Sequence, residues 1–226
     1  MRCIELSVAE ELRSRLCLGL AVASPVEIAP STPALLEEWR ELGDGLKSAL
    51  AGRTPAEIEE LRPARELYKA FGIDPTKVRP SSEALLRRVL KDKPLPRISN
   101  AVDLCNLLAL AFLLPLGLYD LEKVRGTVLL RRGEPGESYA GIRKDAVRLE
   151  GRPVLVDNDG PFGNPTSDSL RTCVGPTTRA LCMVIFAPAT VSRETMDRHV
   201  LVVRRGMERH LVPGGLPDCC TGEVLD

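Results

Sequence analysis

The sequence predicts an α+β fold with a central mixed or antiparallel sheet packed with helices. Helical spacing dominates the first half of the chain, whereas apolar runs of strand length fall mostly in the second. That segregation argues against the alternating βαβ units of a doubly wound parallel sheet. No Gly-rich phosphate loop or dinucleotide fingerprint follows any apolar run, so nucleotide-dependent chemistry finds no support. The 226 residues are 44% apolar and 27% charged, an ordinary globular mixture. A chain of this length can bury a core without metals or disulfides, and residues 1–226 are read as one domain. With one Trp and four Phe, that core must be largely aliphatic.

The elements follow in order. "CIEL" reads as a short strand. Ser7 and Glu10 have capping-box spacing, so a helix is expected to about Arg15. "CLGLAVAS", stopped by Pro25, reads as a strand. Thr32-Pro33 supplies an N-cap with Pro at the first helical position, opening a helix to about Ala51 with Leu35, Leu36, Trp39, Leu42 and Leu46 as its apolar positions. Thr54-Pro55 with Glu57 repeats the signal for a helix ending near Phe71-Gly72. A loop follows, and Ser81 or Ser82 caps a helix with Leu85, Leu86 and Val89 on one side and Arg87, Arg88 and Lys91 on the other. After a Pro-rich break, Asn100 and Asp103 open an apolar helix that Pro115 stops. Strands are expected over 127–131, 152–156 and 180–188. A last helix begins near Ser192, with Met196, Val200, Val203, Met207 and Leu211 at helical spacing. His199 and His210, the only histidines, read as packing or surface residues on it.

Composition excludes several classes. Leu104–Leu118 is too short to span a bilayer and is interrupted by Asn106 and Pro115, so no membrane role is expected. No basic start followed by an apolar stretch marks a secretory signal, and a cytoplasmic location is expected. The seven Cys form no Cys-x-x-Cys arrangement, so neither a metal site nor a cofactor is expected. The thiols are read as reduced, with Cys219-Cys220 in a partly ordered tail. Formal charge is zero overall, yet residues 62–97 hold ten Lys/Arg against four acids. That block is either a solvated helix face or the footprint of an anionic partner.

The stretch "DNDGPFGNPTSDSLRT", 157–172, lies between two apolar runs and is longer than a plain connection needs. Turn chemistry alone accounts for part of it. The functional reading is a polar cradle. Gly160 and Gly163 permit close backbone approach, Ser167, Ser169, Thr172 and Thr177 offer hydroxyls, Asp157 and Asp168 carboxylates, and Arg171 a forked cation. With no His in the stretch, a Ser-His-Asp hydrolase is disfavoured.

The segments "VRPSSEALLRRVL", "LPRISNAVDLCN", "LPLGLYDLEKVRG" and "VLVDNDGPFGNPTSDSLRT" resemble free-standing relatives of the phenylalanyl-tRNA synthetase beta-subunit editing module, the B-three/four or tRNA-binding domain. The resemblance is closest over residues 62–189. It implies an α+β fold and a protein that binds the acceptor end of an aminoacylated tRNA and hydrolyses its ester in trans. It does not imply a ligase, because no synthetase catalytic domain fits the remaining length. The module's Asn-x-x-Asp-x-x-Asn pattern corresponds to Asn100, Asp103 and Asn106. Its Gln-Pro-x-His-x-x-Asp segment corresponds to Leu114, Pro115, Gly117 and Asp120, so Gly117 stands where the module has His. "NPTSDSLRT" stands where the module follows its Gly-rich loop with Glu.

On this reading Asp157, Ser167, Asp168, Ser169, Arg171 and Thr172 form the catalytic site. Asp168 orients water or a ribose hydroxyl, Arg171 holds a phosphate or carboxylate, and Ser167 and Ser169 donate to the ester carbonyl. Asn100, Asn106, Gly117, Gly160, Gly163 and Thr177 meet the substrate, with helix capping as the other reading of Asn100. Arg79, Arg87, Arg88 and Lys91 meet RNA. The alternatives are a non-catalytic RNA- or protein-binding module and a hydrolase of small aminoacyl esters. A partner synthetase, the amino acid and the tRNA are not specified.

Overall fold

The computed structural model describes residues 4–142, 144–215 and 220–225. Its strands divide between two four-stranded sheets and a hairpin. One sheet has the order β10-β2-β9-β3, built from Cys220–Leu225, Leu16–Ala23, Leu181–Pro188 and Leu116–Asp120. Its pairings are all antiparallel. The other has the order β1-β4-β7-β8, built from Leu6–Val8, Val128–Arg132, Pro153–Asp157 and Gly160–Gly163. Its β1–β4 pair is parallel and the others antiparallel. The hairpin joins β5 (Ser138–Gly141) to β6 (Lys144–Arg148). The expected α+β class therefore stands, with two sheets where one was expected.

Strands β2 and β9 explain why their sequences read as continuous apolar runs: all eight residues of each are buried. Successive side chains point to opposite faces of a sheet. On one face Cys17, Ala21, Ala23, Met183, Ile185 and Ala187 join a core with four helices. These are α2 (Pro33–Ala49), α4 (Ser81–Val89), α5 (Asn100–Phe112) and α6 (Arg193–His210). On the other face Leu16, Leu18, Leu20, Val22, Cys182, Val184 and Phe186 pack with Val128, Leu130, Leu155 and Phe162 of the second sheet and Leu67, Tyr68 and Phe71 around α3 (Arg62–Ala70). An antiparallel sheet often leaves one face to water; here both faces are covered.

Helix α6 buries Met196, Val200, Val203 and Met207. It sits close to the sheet because Gly19 has no side chain: a Cβ there would lie 2.8 Å from Met196 Sδ and Val200 Cγ2. The helix caps follow the sequence in two cases, with Thr32 accepting from Leu35 N at 3.3 Å and Ser192 from Thr195 N at 3.2 Å. The single Trp is fully buried because its Nε1 donates to the Asp103 carbonyl at 3.1 Å.

Elsewhere local signals lose to tertiary pairing. Ser7 lies in β1, and the short helix α1 (Glu10–Arg13) has no side-chain cap. Glu57 accepts from Thr54 N and Oγ1 at 2.7 and 2.8 Å, as a capping box would. The chain nonetheless makes only a 3-10 turn, Glu59–Leu61, before α3 starts. Pro63 is the reason, since it cannot donate inside a helix but is tolerated in the first turn. Ser99, not Asn100, caps α5, and Pro80 precedes α4 without a side-chain cap. The tail expected to be partly ordered contains β10, with Cys220 buried on the sheet; Cys219 lies outside the described residues. Among the described residues no helix is long and apolar enough to cross a membrane.

Candidate functional site

Strand β3 is the edge of its sheet, and residues 164–174 cover that edge. Asp120 N donates to the Thr172 carbonyl at 2.9 Å, and Leu118 N to Asp168 Oδ2 at 3.4 Å. On its other side the segment meets the hairpin through Leu170 N to Ala140 O, 2.8 Å, and a Gly141–Ser169 bridge. Tyr139 donates to the Ser167 carbonyl and Tyr68 to the Pro165 carbonyl, the latter at 2.8 Å. The Asn164 side chain accepts from Thr166 N and Ser167 N at 2.7 and 3.0 Å, fixing the turn.

Between this segment and α5 lies a cavity of about 210 Å³. Its apolar wall comes mainly from Val102, Cys105, Ala109, Leu116 and Leu118, and its polar wall from Asn106, Asn164, Thr166, Ser167 and Asp168. Ser81, at the start of α4, also reaches it. Ile142 and Leu170, 39% and 59% exposed, are the large apolar side chains left uncovered on the hairpin side.

Asp168 is half-buried at this wall. Burial pushes its carboxyl up to about 7, opposed by the Tyr119 hydroxyl and the Leu118 amide. The Tyr119 hydroxyl is buried without a hydrogen bond of regular geometry, yet it acts on Asp168 closely enough to favour the charge there. Burial and then the Asp168 charge hold the Tyr119 phenol well above its ordinary range. Asn164 Nδ2 is a second buried group with no hydrogen-bond partner of regular geometry, although the Tyr139 hydroxyl lies near its side chain. Buried donors left in this state need a reason; the Tyr119 hydroxyl adjoins Asp168, and Asn164 lines the same cavity as that carboxylate. Burial raises the thiols of Cys105 and Cys173, both on the cavity wall, so neither is a ready nucleophile.

The other expected residues divide sharply. Ser167 and Asp168 line the cavity, as does Asn106. Asp157 and Arg171 do not: they form a two-pronged ion pair at 2.8 and 3.0 Å, with the Asp157 side chain fully buried. Arg171 also donates to the carbonyls of Lys123 and Gly160, so its fork is occupied and does not hold a substrate phosphate. Ser169 and Thr172 are buried and bonded to each other at 3.2 Å, which removes Ser169 as a donor to substrate. Asn100 donates to the carbonyls of Glu27 and His210 and accepts from Ala29 N, which joins α5 to its neighbours instead of facing a ligand. Thr177 is exposed and outside the cavity lining.

Gly117 and Gly163 have a different use from ligand approach. A Cβ on either would drive into the Tyr119 ring and hydroxyl. The two glycines therefore make room for Tyr119, whose ring also meets Phe162 edge-on at 5.1 Å between centroids. Gly160, at φ +107°, shapes the turn into β8. Sequence reasoning missed Tyr119, Asn164 and Ser81. The Asn-Pro pair in "GNPTSD" was a turn signal that pointed to Asn164; nothing in the sequence pointed to Tyr119.

The RNA candidates also separate. Arg79 and Arg87 gather with Arg65 around the buried Glu83, at 3.8, 2.9 and 2.8 Å. Arg88 turns to the Pro94 carbonyl, and Lys91 is exposed.

The model of the B3/4 domain matches residues 63–211, which include both walls of the cavity. The chain belongs to the B3/4 domain family. It is similar to the phenylalanine–tRNA ligase beta subunit of Onion yellows phytoplasma, 23% identical over 163 residues, covering 68% of this chain and 20% of that protein. The subunit of the same name from Streptomyces avermitilis is 29% identical over 137 residues, covering 58% and 16%. This B3/4 chain thus spans a fifth or less of those two ligase subunits. A solved N-terminal fragment of the phenylalanyl-tRNA synthetase beta-subunit from Pyrococcus horikoshii aligns with 99% of this chain and 51% of its own, at 12% identity and a TM-score of 0.45.

Proposed function

We propose that this B3/4 protein binds the acceptor end of aminoacyl-tRNA and hydrolyses the ester of a mischarged amino acid. The observation that carries the reading is a carboxylate, Asp168, and an amide donor, Asn164 Nδ2, without a hydrogen bond of regular geometry, on one wall of a cavity otherwise lined largely by apolar side chains. Such a cavity suits a small apolar group carrying a few polar atoms. An aminoacyl ester is that kind of group, and the relatives named for tRNA ligases supply its class.

Hydrolysis of the ester needs a positioned water and donors for the oxyanion. Asp168, half-ionised near neutral pH, takes a proton from water as it attacks the carbonyl carbon. Asn164 Nδ2 donates to the carbonyl oxygen as negative charge develops there. The ribose oxygen leaves with a proton, and the free amino acid departs. Asn106 faces the same space from α5 and orients the substrate's polar atoms. No side chain forms a covalent intermediate, consistent with the raised thiols on the cavity wall. Asp168 also meets the requirement that a base titrate near the working pH.

The test is release of amino acid from a panel of mischarged tRNAs, with free aminoacyl esters assayed alongside. Hydrolysis of tRNA-linked esters that Asp168→Asn abolishes supports the reading. Turnover of free esters at equal efficiency makes the protein a small-molecule hydrolase. Tight binding of charged tRNA without turnover makes it a binding module.

A further inference from the structure

A second concavity, about 320 Å³, opens between α3 and α4. Its walls carry Arg65, Lys69, Arg79 and Arg87, and the carboxylate among them is Glu83. Glu83 is buried at 3% side-chain exposure and receives Arg65 Nε at 2.8 Å and Arg87 Nε at 2.9 Å. Burial works against its charge, but those two hydrogen bonds hold the carboxyl below its ordinary value. It therefore stays ionised and organises the arginines. One negative charge inside four positive ones leaves a surplus of three. Asp74, on the preceding loop, is bonded to Thr76 N and Oγ1 at 2.9 and 2.7 Å. Arg79 and Lys69 remain at the exposed rim. Arg65 also donates to the Pro55 carbonyl at 2.7 Å, so it is held at both ends, whereas Arg79, 3.8 Å from Glu83 and exposed, keeps its planar fork available for a phosphate.

The location gives the pocket a further meaning. Tyr68, on α3 between Arg65 and Lys69, bonds the carbonyl of Pro165 on the cavity wall. Ser81, on α4 between Arg79 and Glu83, lines the cavity itself. Each helix thus presents cations on one side and touches the cavity on the other, within a few residues.

We propose that the Arg65–Lys69–Arg79–Arg87 pocket holds a backbone phosphate of the RNA strand whose aminoacyl end enters the cavity. This rests on the aminoacyl-tRNA reading above. Arg65 and Arg87, braced by Glu83, position the site, while Arg79 and Lys69 close on the phosphate from the rim. Arg88 and Lys91, the remaining cations expected to meet RNA, do not line the pocket.

The experiment uses a labelled RNA minihelix with a single-stranded CCA end, carrying an amide-linked, non-hydrolysable aminoacyl group. Its affinity is measured from 50 to 200 mM salt for the natural protein, for Lys69→Gln/Arg79→Gln and for Arg88→Gln/Lys91→Gln. The rim variant is expected to bind about tenfold or more weakly, with a salt slope shallower by about 0.7 for each single-strand phosphate that the variant no longer neutralises. The Arg88/Lys91 variant is expected to change less than the rim variant. Inorganic phosphate is expected to compete with the RNA on the natural protein and to lose that effect in the rim variant. Thermal melts accompany each variant, and Arg79→Glu, at the exposed rim, replaces the double variant if the latter melts early.

Unchanged affinity and slope in the rim variants would overturn the proposal. So would phosphate binding that the rim variant abolishes while RNA binding persists, because the pocket would then serve free phosphate. Hydrolysis measured on ester-linked RNA separates the two readings. RNA binding lost in the variant, with no hydrolysis by either protein, keeps the pocket and removes the deacylase. Normal hydrolysis with unchanged KM in the variant removes the pocket alone.

Discussion

Two polar clusters lie within one segment of sixteen residues, and they differ in how completely they are satisfied. Behind the segment, Asp157 and Arg171 exchange two hydrogen bonds, and the pair is further bonded by backbone groups of Lys123, Arg125, Asp159 and Gly160. Ser169 and Thr172 complete each other in the same way. At the front, the Asn164 amide on the cavity wall is buried without a partner of regular geometry, and Asp168, beside the Tyr119 hydroxyl, is held half-protonated near neutrality. Polarity alone does not separate a scaffold from a site. Incomplete satisfaction on a cavity wall does, because a buried group without a partner raises the energy of the empty protein and there can be relieved by a ligand; Ser82 Oγ and Arg204 Nε, also unsatisfied, do not line the cavity.

The largest effects should break this comparison cleanly. Asp168→Asn keeps the shape and an acceptor for Leu118 N but removes the base, and hydrolysis is expected to fall by about 10²–10⁴-fold. Its melting temperature is expected to hold or rise. Arg171→Ala should do the reverse. It strands the Asp157 carboxylate, whose side chain is fully buried, and is expected to cost about 3 kcal/mol of stability, with little change in kcat for the protein that remains folded. Denaturant titrations beside single-turnover rates read both. A destabilised Asp168→Asn or a stable, inactive Arg171→Ala would reverse the assignment of the two clusters.

Steric dependence on Tyr119 comes next. Gly117→Ala places a methyl inside the Tyr119 ring and hydroxyl, and overpacking of this kind costs about 1–3 kcal/mol. With Tyr119 in place, a larger side chain at position 117 would have no room on this side of β3. In a Tyr119→Ala background, itself strongly destabilised by loss of a fully buried ring, Gly117→Ala should cost little more, and activity should be low because Asp168 loses the neighbouring hydroxyl. Additive losses in the double variant would show that the two positions do not share this space.

The sequence carried the long elements well and the short ones poorly. α2, α5, α6, β2 and β9 are legible because their apolar patterns are long and their burial is nearly complete. β4 and β7, of five residues, are legible as apolar runs, but β3, β5, β6, β8 and β10, similarly short, carry no such run and are fixed by strand pairing. In "GPFG" only Phe162 favours a strand; β8 exists because its backbone pairs with β7 at the sheet edge. The site was legible in the same uneven way. The excess of small polar residues at 157–172 drew attention to a segment whose Ser167 and Asp168 line the cavity, as Asn106 does from α5. Which hydroxyls and cations are spent internally depends on contacts such as Arg171 to Lys123, 48 positions apart. No local pattern encodes them.

A pH dependence sharpens the comparison further. The Asp168 carboxyl titrates at about 7 in the folded protein and near 4 when unfolded. Between those values the folded state holds a proton that the unfolded state releases, so stability falls as pH rises from about 4 to 7 and then levels. Activity that requires the carboxylate should instead rise through about 7. Asp168→Asn should abolish the stability trend and make the protein more stable at pH 8 by about 1–2 kcal/mol, the shift being partly screened by solvent in the cavity. Melts of both proteins at pH 5, 7 and 8 measure it, and parallel curves would mean that Asp168 is ionised throughout.

The smallest effect belongs to the satisfied cluster and is the sharpest control. Ser169→Ala removes one hydroxyl that bonds Thr172 Oγ1 at 3.2 Å and accepts weakly from Thr172 N at 3.4 Å. The Thr172 hydroxyl keeps the Phe162 carbonyl as an acceptor at 3.4 Å, so no strong donor is stranded. The loss is expected to be about 1 kcal/mol, with kcat and KM for an aminoacyl-tRNA ester essentially unchanged. Ser169 sits one residue from Asp168, which makes it a severe test of the front-to-back division. A hydroxyl that close to the base but facing the interior must be silent in catalysis if incomplete satisfaction marks the site. A tenfold loss of kcat without loss of stability would show that Ser169 reaches the substrate after all, and would require the segment to open from the geometry in which Ser169 and Thr172 satisfy each other.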